Sequence, residues 1–262
     1  MVESTTPRTA LITGASAGIG KAFAHVFARN GFDVVLVARR QDKLDELAAD
    51  IKKTYGQLAH VIAVDLGDTA APQRIYDWCD QHQVEVDALV NNAGILEPIA
   101  RMAEADMEGW RYNLMVNVLG PMMLIQAAIP HLRATAGRVV NVSSGASTGA
   151  MVGWASYCAS KAALNHMTRV LALEEPGITA VAVRPGIVDT EMQAVIRNEG
   201  MAGMTKVDHR RFVERFEQGE LVSPERSGRA LVKLALYAPR AWSGEFLSWD
   251  EQRVEEIMNN EW

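Results

Sequence analysis

Cysteine is scarce in this chain: two in 262 residues, Cys79 and Cys158, far apart and belonging to no cluster with metal-ligand spacing. Free thiols in a reducing compartment are the expectation, and no metal. Positive charge is not in excess either, since 26 Lys and Arg against 32 Asp and Glu leave a formal charge of −6. No basic block offers itself to phosphates, which sets nucleic acid aside as a partner. No apolar run stands out at the roughly 20 residues that a bilayer span needs, and the opening "MVESTTPRTALITG" has no long apolar core behind a positive region. The expectation is a cytoplasmic protein without a membrane partner. Internal repeats and low-complexity linkers are missing too, so 262 residues read as one α/β domain with a large core.

What is present is alternation. Short β-rich runs, "TALIT" (9–13), "DVVLVA" (33–38), "HVIAVD" (60–65), "DALVNN" (87–92), "RVVNVSS" (138–144), "TAVAVRP" (179–185) and "GEFLSW" (244–249), are separated by segments of helical period. Most lack polar alternation, as buried parallel strands do when helices cover both faces. The pattern predicts a single-domain, doubly wound parallel sheet of about seven strands. "KLDELAADIKKTYG" places Leu44, Leu47, Ala48 and Ile51 on one helix face with Gly56 as its stop, and Ser223 with Pro224 marks a helix start. Residues 191–222 form a long insertion before the last helix and strand, of the kind that serves as a lid.

"TALITGASAGIGKAFAHVFARNG" reads strand, glycine turn, helix, with Gly14, Gly18 and Gly20 in the turn. Glycines admit close backbone approach, and a helix N-terminus offers unpaired N–H groups to a pyrophosphate. At the end of the second strand, where NAD sites usually carry a carboxylate, stand Ala38, Arg39 and Arg40. Paired guanidinium groups suit a 2′-phosphate and imply NADP(H), with the Ser16 hydroxyl assisting; two solvated arginines are the plain alternative. Asp42, the nearest acid, is read as a helix cap. In "SYCASKAALNHM", Tyr157 and Lys161 lie four apart on one helix face, within mutual reach. Such a pair is either packing or a chemical device. A unit charge about 5 Å from a phenol is worth roughly two pKa units at an effective dielectric of about 20, enough to bring a tyrosine toward a useful proton donor.

The turn T-G-x-x-x-G-I-G, "NNAG" at 91–94, Asn117 in "MVNVLG", and Ser144 followed by Y-x-x-x-K together resemble the short-chain dehydrogenase/reductase family over nearly the whole chain, Thr9 to about Trp249. The resemblance implies that Tyr157 donates the proton to a ketone accepting hydride, that Ser144 orients the carbonyl (Ser143 if the register is off by one), and that Lys161 binds the nicotinamide ribose. It implies that Asn117 anchors a proton relay. It further implies cofactor contacts at Ile19, Asp65, Leu66, Asn91, Ala93, Gly94, Pro185, Gly186, Val188, Thr190 and Met192, with Asn91, Ala93 and Gly94 also stabilising the sheet. Leu96, Met151, Trp154 and Met192 are the expected substrate walls, with Met201, Met204, Phe212 and Phe216 of the insertion. Within the family, the chain looks nearest to the benzil and sepiapterin reductase branch, which uses NADPH on carbonyl groups. Sepiapterin reductases anchor the pterin with an aspartate in the last strand, and here that position aligns with Ser248. An uncharged ketone or 1,2-diketone is therefore the expected substrate, a pterin carbonyl the alternative, and a non-catalytic NADPH-binding regulator a more distant one. A homodimer or homotetramer is expected by resemblance alone.

Overall fold

The computed structural model describes residues 8–259. Seven parallel strands, β1 (Thr9–Thr13), β2 (Asp33–Ala38), β3 (Ala59–Ala63), β4 (Ala88–Asn91), β5 (Arg138–Val142), β6 (Thr179–Arg184) and β7 (Phe246–Ser248), form one sheet in the order β3-β2-β1-β4-β5-β6-β7. The order reverses between β1 and β4, which opens a crevice at the carboxyl ends of those two strands. Successive side chains point to opposite faces, so Ala10, Ile12, Val34 and Leu36 join one apolar core while Leu11, Val35 and Val37 join the other. Helices α1 (Gly18–Arg29), α2 (Gln41–Tyr55) and α9 (Pro224–Tyr237) supply the first core through Phe23, Phe27, Leu44, Ile51 and Leu231. Helices α3 (Ala71–Gln81), α5 (Gly120–Thr135) and α6 (Ala155–Glu174) supply the second through Ile75, Leu124, Leu132 and Leu171. Each large side chain buried this way stabilises the fold by about 1.5–3 kcal/mol.

Strand ends fall short of the expected runs for physical reasons. β3 stops at Ala63, leaving Val64 and Asp65 in the following turn, where the Asp65 carboxylate accepts from Gly67 N at 2.8 Å. β5 stops at Val142, because Ser144 turns out of the sheet to cap a short 3₁₀ turn. Gly56 ends α2 in the left-handed region (φ 78°), and the Ser223 hydroxyl accepts from Arg226 N at the start of α9, both as the sequence indicates. Asp42 is not a cap. Arg40 occupies that position, and Asp42 sits in the first turn of α2, where its charge favours the helix dipole.

The 191–222 insertion is helical: α7 (Glu191–Glu199), a 3₁₀ turn and α8 (Lys206–Glu217). Preceding it in the chain, α4 (Met107–Leu114) runs through a π-helical stretch, Met115–Leu119, into α5. This continuous run, Met107–Thr135, is by length and composition apolar enough for a membrane span. That corrects the expectation that no such run exists. Its apolarity has a local cause, since Leu124, Ile125, Ala128 and Leu132 pack into the second core.

Candidate active site

The crevice beside β1 is a cleft of about 320 Å³ whose walls include the glycine turn, Arg39, Arg40, Asp65 and Lys161. Gly14 and Gly18 hold φ of +67° and +52°, and a Cβ on Gly20 would stand 2.2 Å from Gly14 O, so α1 closes directly onto the turn. The residue before α1, Ala17, has no side-chain cap, which leaves the first N–H groups and the positive dipole end facing the cleft. This cradle fits a dinucleotide pyrophosphate.

At the β2 end of the cleft, Arg40 donates to Ser16 Oγ (3.1 Å from Nη2) and to Glu191 Oε1 (2.8 Å from Nη1). Arg39 donates to the Tyr112 hydroxyl at 3.4 Å, and that hydroxyl in turn donates to Asp65 at 2.9 Å. Burial, and then Asp65, push the Tyr112 phenol above its ordinary pKa. Arg40 and Ser16 thus meet as the sequence suggests, whereas Glu191 and Tyr112 were not expected. Sequence separations of 151 and 73 residues hid them.

Ser16, Ile19, Leu66, Ala93, Gly94, Thr190 and Met192 also line the cleft. Asn91 does not. Its amide donates to Asn141 Oδ1 at 2.9 Å inside the sheet, and its neighbour Asn92 takes the wall, tied to Thr13 O by its Nδ2 at 2.9 Å. Gly20, Pro185, Gly186 and Val188 are displaced from the wall as well: Gly20 packs behind the turn, Gly186 packs on Trp249, Pro185 O accepts from Ser227, and Val188 pairs with Val222.

At the β5 end Lys161 lines the cleft, whereas its neighbours Asn117, Ser144 and Tyr157 do not. Tyr157 and Lys161 project from one face of α6, and both are buried. Ser144 Oγ accepts from Ala146 N at 3.1 Å, and its hydroxyl favours the ionised form of the Tyr157 phenol. Ser143 points the other way, toward Lys161 O. Lys161 Nζ donates to Val142 O at 2.8 Å and lies 5.6 Å from the Tyr157 ring centre. Burial pushes the Tyr157 phenol up to about 12, against the opposing pull of Ser144, and brings the Lys161 ammonium down to about 8. Desolvation sets the direction in surroundings this closed, and the lowering expected from the Lys161 charge does not appear.

Leu96, Trp154 and Met204 pack with Tyr157 in a third apolar cluster, joined by Met151, Met192 and Phe212. The Trp154 ring meets Tyr157 edge-on, centres 5.9 Å apart, and also packs on Phe212 of α8, centres 5.4 Å apart. Met201 and Phe216, expected among the walls, are exposed, and Phe216 instead lies under the Arg197 guanidinium.

A doubly wound sheet, a glycine cradle at its crevice, and a half-buried Ser beside a buried Tyr and Lys define a nicotinamide-dependent oxidoreductase fold and site. The short chain dehydrogenase model matches residues 8–200, and the chain belongs to that family. It is 38% identical over 253 residues to an uncharacterized oxidoreductase of Schizosaccharomyces pombe, covering 95% of this chain and 98% of the relative. It is 33% identical over 255 residues to the benzil reductase ((S)-benzoin forming) of Bacillus cereus, covering 93% of this chain and all of that one (100%). The crystal structure of a short chain dehydrogenase/reductase from Saccharomyces cerevisiae superposes with a TM-score of 0.89 at 33% identity, covering 95% of this chain and 99% of that one.

Proposed function

We propose that the protein is an NADPH-dependent carbonyl reductase acting on an uncharged ketone or 1,2-diketone. The observation that carries the reading is the Ser144, Tyr157 and Lys161 group, with Tyr157 packed in an apolar cluster and Lys161 on the wall of a cleft whose other end is a pair of arginines. A reduced nicotinamide, when bound, supplies hydride to the carbonyl carbon. The Ser144 hydroxyl holds the carbonyl oxygen, and Tyr157, protonated through the neutral range, gives that oxygen its proton as negative charge develops. Lys161, when charged, stabilises the phenolate left as the proton leaves, and would offer N–H donors to the nicotinamide ribose. Arg40, Arg39 and Ser16 would hold the 2′-phosphate of the cofactor, the guanidinium groups as bidentate donors.

The substrate class follows from the walls and from the last strand. Ser248 is buried, accepting from Arg184 Nε at 2.7 Å and donating to Asp250, while Glu251 accepts from Ser248 N at 2.7 Å. Both nearby carboxylates are thereby engaged in the turn after β7, which leaves a pterin without its anchor. Similarity to benzil reductases supports the diketone. Leu119 and Met122 of the π stretch and α5, with Val170 and Leu173 of α6, expose apolar surface that supports pairing of two copies as a homodimer or homotetramer.

The test is NADPH oxidation against benzil, an aliphatic diketone, an aryl monoketone and sepiapterin, with NADH in parallel. Turnover of the diketones with NADPH and little with NADH is the expected result. Fast turnover of sepiapterin would move the pterin reading to first place, and no turnover of any carbonyl by a cofactor-binding protein would favour a regulator.

A further inference from the structure

Asn113 lies one turn before Asn117 in the run from α4 into the π stretch, and both side chains are completely buried. A buried amide must find partners or cost the fold its desolvation energy. Asn113 Nδ2 faces three main-chain carbonyls, those of Ile95 (3.2 Å), Leu96 (3.3 Å) and Glu97 (2.7 Å). An oxygen in that place would meet three other oxygens, so the amide has one permitted orientation, with Oδ1 directed away from the loop. Oδ1 receives Asn117 Nδ2 at 3.1 Å.

Asn117 is thereby oriented in turn. Its Nδ2 also donates to Ile95 O (2.8 Å) and Ser160 Oγ (3.1 Å), and its Oδ1 accepts from Ile95 N (2.9 Å). Ser160 passes the link on, donating to Tyr157 O at 2.8 Å. Asn117 Oδ1 and Lys161 Nζ border the same face of Gly94, since a Cβ there would stand 3.2 and 3.3 Å from them. The groups around Lys161 given by these contacts are the Tyr157 ring from its own helix, the Val142 carbonyl from β5 and the Asn117 amide oxygen across Gly94. No carboxylate balances the ammonium among these, so dipole orientation matters more than usual.

We propose that Asn113 is a positioning residue of the catalytic end: by pinning its own amide on the Ile95–Glu97 loop, it holds the Asn117 amide oxygen on the side that Lys161 occupies. Without it, the Asn117 amide keeps its bonds to Ile95 and Ser160 but loses the acceptor on the Asn113 side, and its oxygen is held less firmly toward the ammonium. The charged form of Lys161 then loses a favourable dipole, and Tyr157 loses part of its positive neighbour. This inference rests on the reading of Tyr157 and Lys161 given under the proposed function.

The experiment compares the native protein, Asn113→Leu and Asn113→Ser, with Tyr157→Phe as control. One readout needs no turnover: the ¹³Cε shift of Lys161 in ¹³C-lysine-labelled, cofactor-free protein, followed against pH. In both Asn113 variants the Lys161 titration should move to lower pH by about half a unit or more. In the second readout, oxidation of the α-hydroxyketone product with NADP⁺, the rising limb of kcat should move to higher pH while NADP⁺ affinity changes less than about twofold. Asn113→Ser guards against a leucine variant that does not fold. An unmoved Lys161 titration in a folded variant, with loss confined to Tm, would overturn the proposal and leave Asn113 a scaffold residue. Full activity of Tyr157→Phe would instead sink the underlying reading, whatever the Lys161 titration shows.

Discussion

The two ends of the cleft use charge in opposite ways. At the arginine end, Arg40 and Glu191 pair with side chains 43% and 70% exposed, and Arg39 reaches Asp65 only through the Tyr112 hydroxyl. At the tyrosine end, Tyr157 and Lys161 are 6% and 3% exposed and carry large pKa displacements, both caused first by burial. An exposed ion pair is worth about 0–1 kcal/mol, so the arginine end can exchange one anion for another at little cost. The buried end cannot exchange anything cheaply. Under the proposed function, recognition belongs to the open end and chemistry to the closed one.

The largest effect at the open end is expected from removing its positive charge. Arg39→Ala with Arg40→Ala should cut the preference for NADPH over NADH by about 10- to 100-fold through loss of charged hydrogen bonds, with turnover at saturating cofactor little changed. Measured KM values for both cofactors check it, and an unchanged preference would remove the arginines from cofactor choice.

A smaller effect belongs to the closed end and appears as stability. Lys161 titrates near 8 in the folded protein against 10.5 for an ordinary lysine. Between those values the unfolded chain holds a proton that the folded one has released, so the stability of cofactor-free protein should rise with pH, by about 1–3 kcal/mol in all. Tyr157, displaced upward from 10.0 to about 12, works in the opposite direction above pH 10. Urea unfolding at pH 7.5 and 9.5 should show the rise in native protein and a weaker one in Lys161→Met. Equal slopes would mean that the ammonium is better solvated than its burial implies.

The smallest effect returns to the open end. Glu191 stands against the guanidinium that would take the 2′-phosphate, so Glu191→Gln should tighten NADPH binding by about two- to fivefold, most clearly at low salt. Weaker binding in that variant would show that the carboxylate helps rather than competes.

The same contrast explains what could be read before folding. The β1 and β2 boundaries, the glycine turn, Gly56 and the Ser223 start follow from local chemistry, in which a residue and its near neighbours decide the backbone. The Tyr157 and Lys161 pair was legible for the same reason, as neighbours on one helical face. Asn91 holds the sheet, as the resemblance implied, but strand pairing sends its side chain to Asn141 and leaves Asn92 at the cleft. Glu191, Tyr112 and Asn113 escaped notice because their partners come from distant segments, and nothing in their surroundings marks them. The direction of the Tyr157 shift was also misjudged from the pair alone. Charge proximity is visible in a sequence, whereas the desolvation imposed by Trp154, Met192, Phe212 and the rest of the third cluster is a property of the packed molecule.

The measurement that bears most directly on the account is made on Tyr157→Phe, with NADPH binding followed by fluorescence and diketone reduction followed by NADPH oxidation. Loss of turnover by about 10²- to 10⁴-fold, with NADPH affinity within a few-fold of native, is the predicted result. Reduction at close to the native rate would contradict it, because the proton would then reach the carbonyl oxygen from a group other than Tyr157.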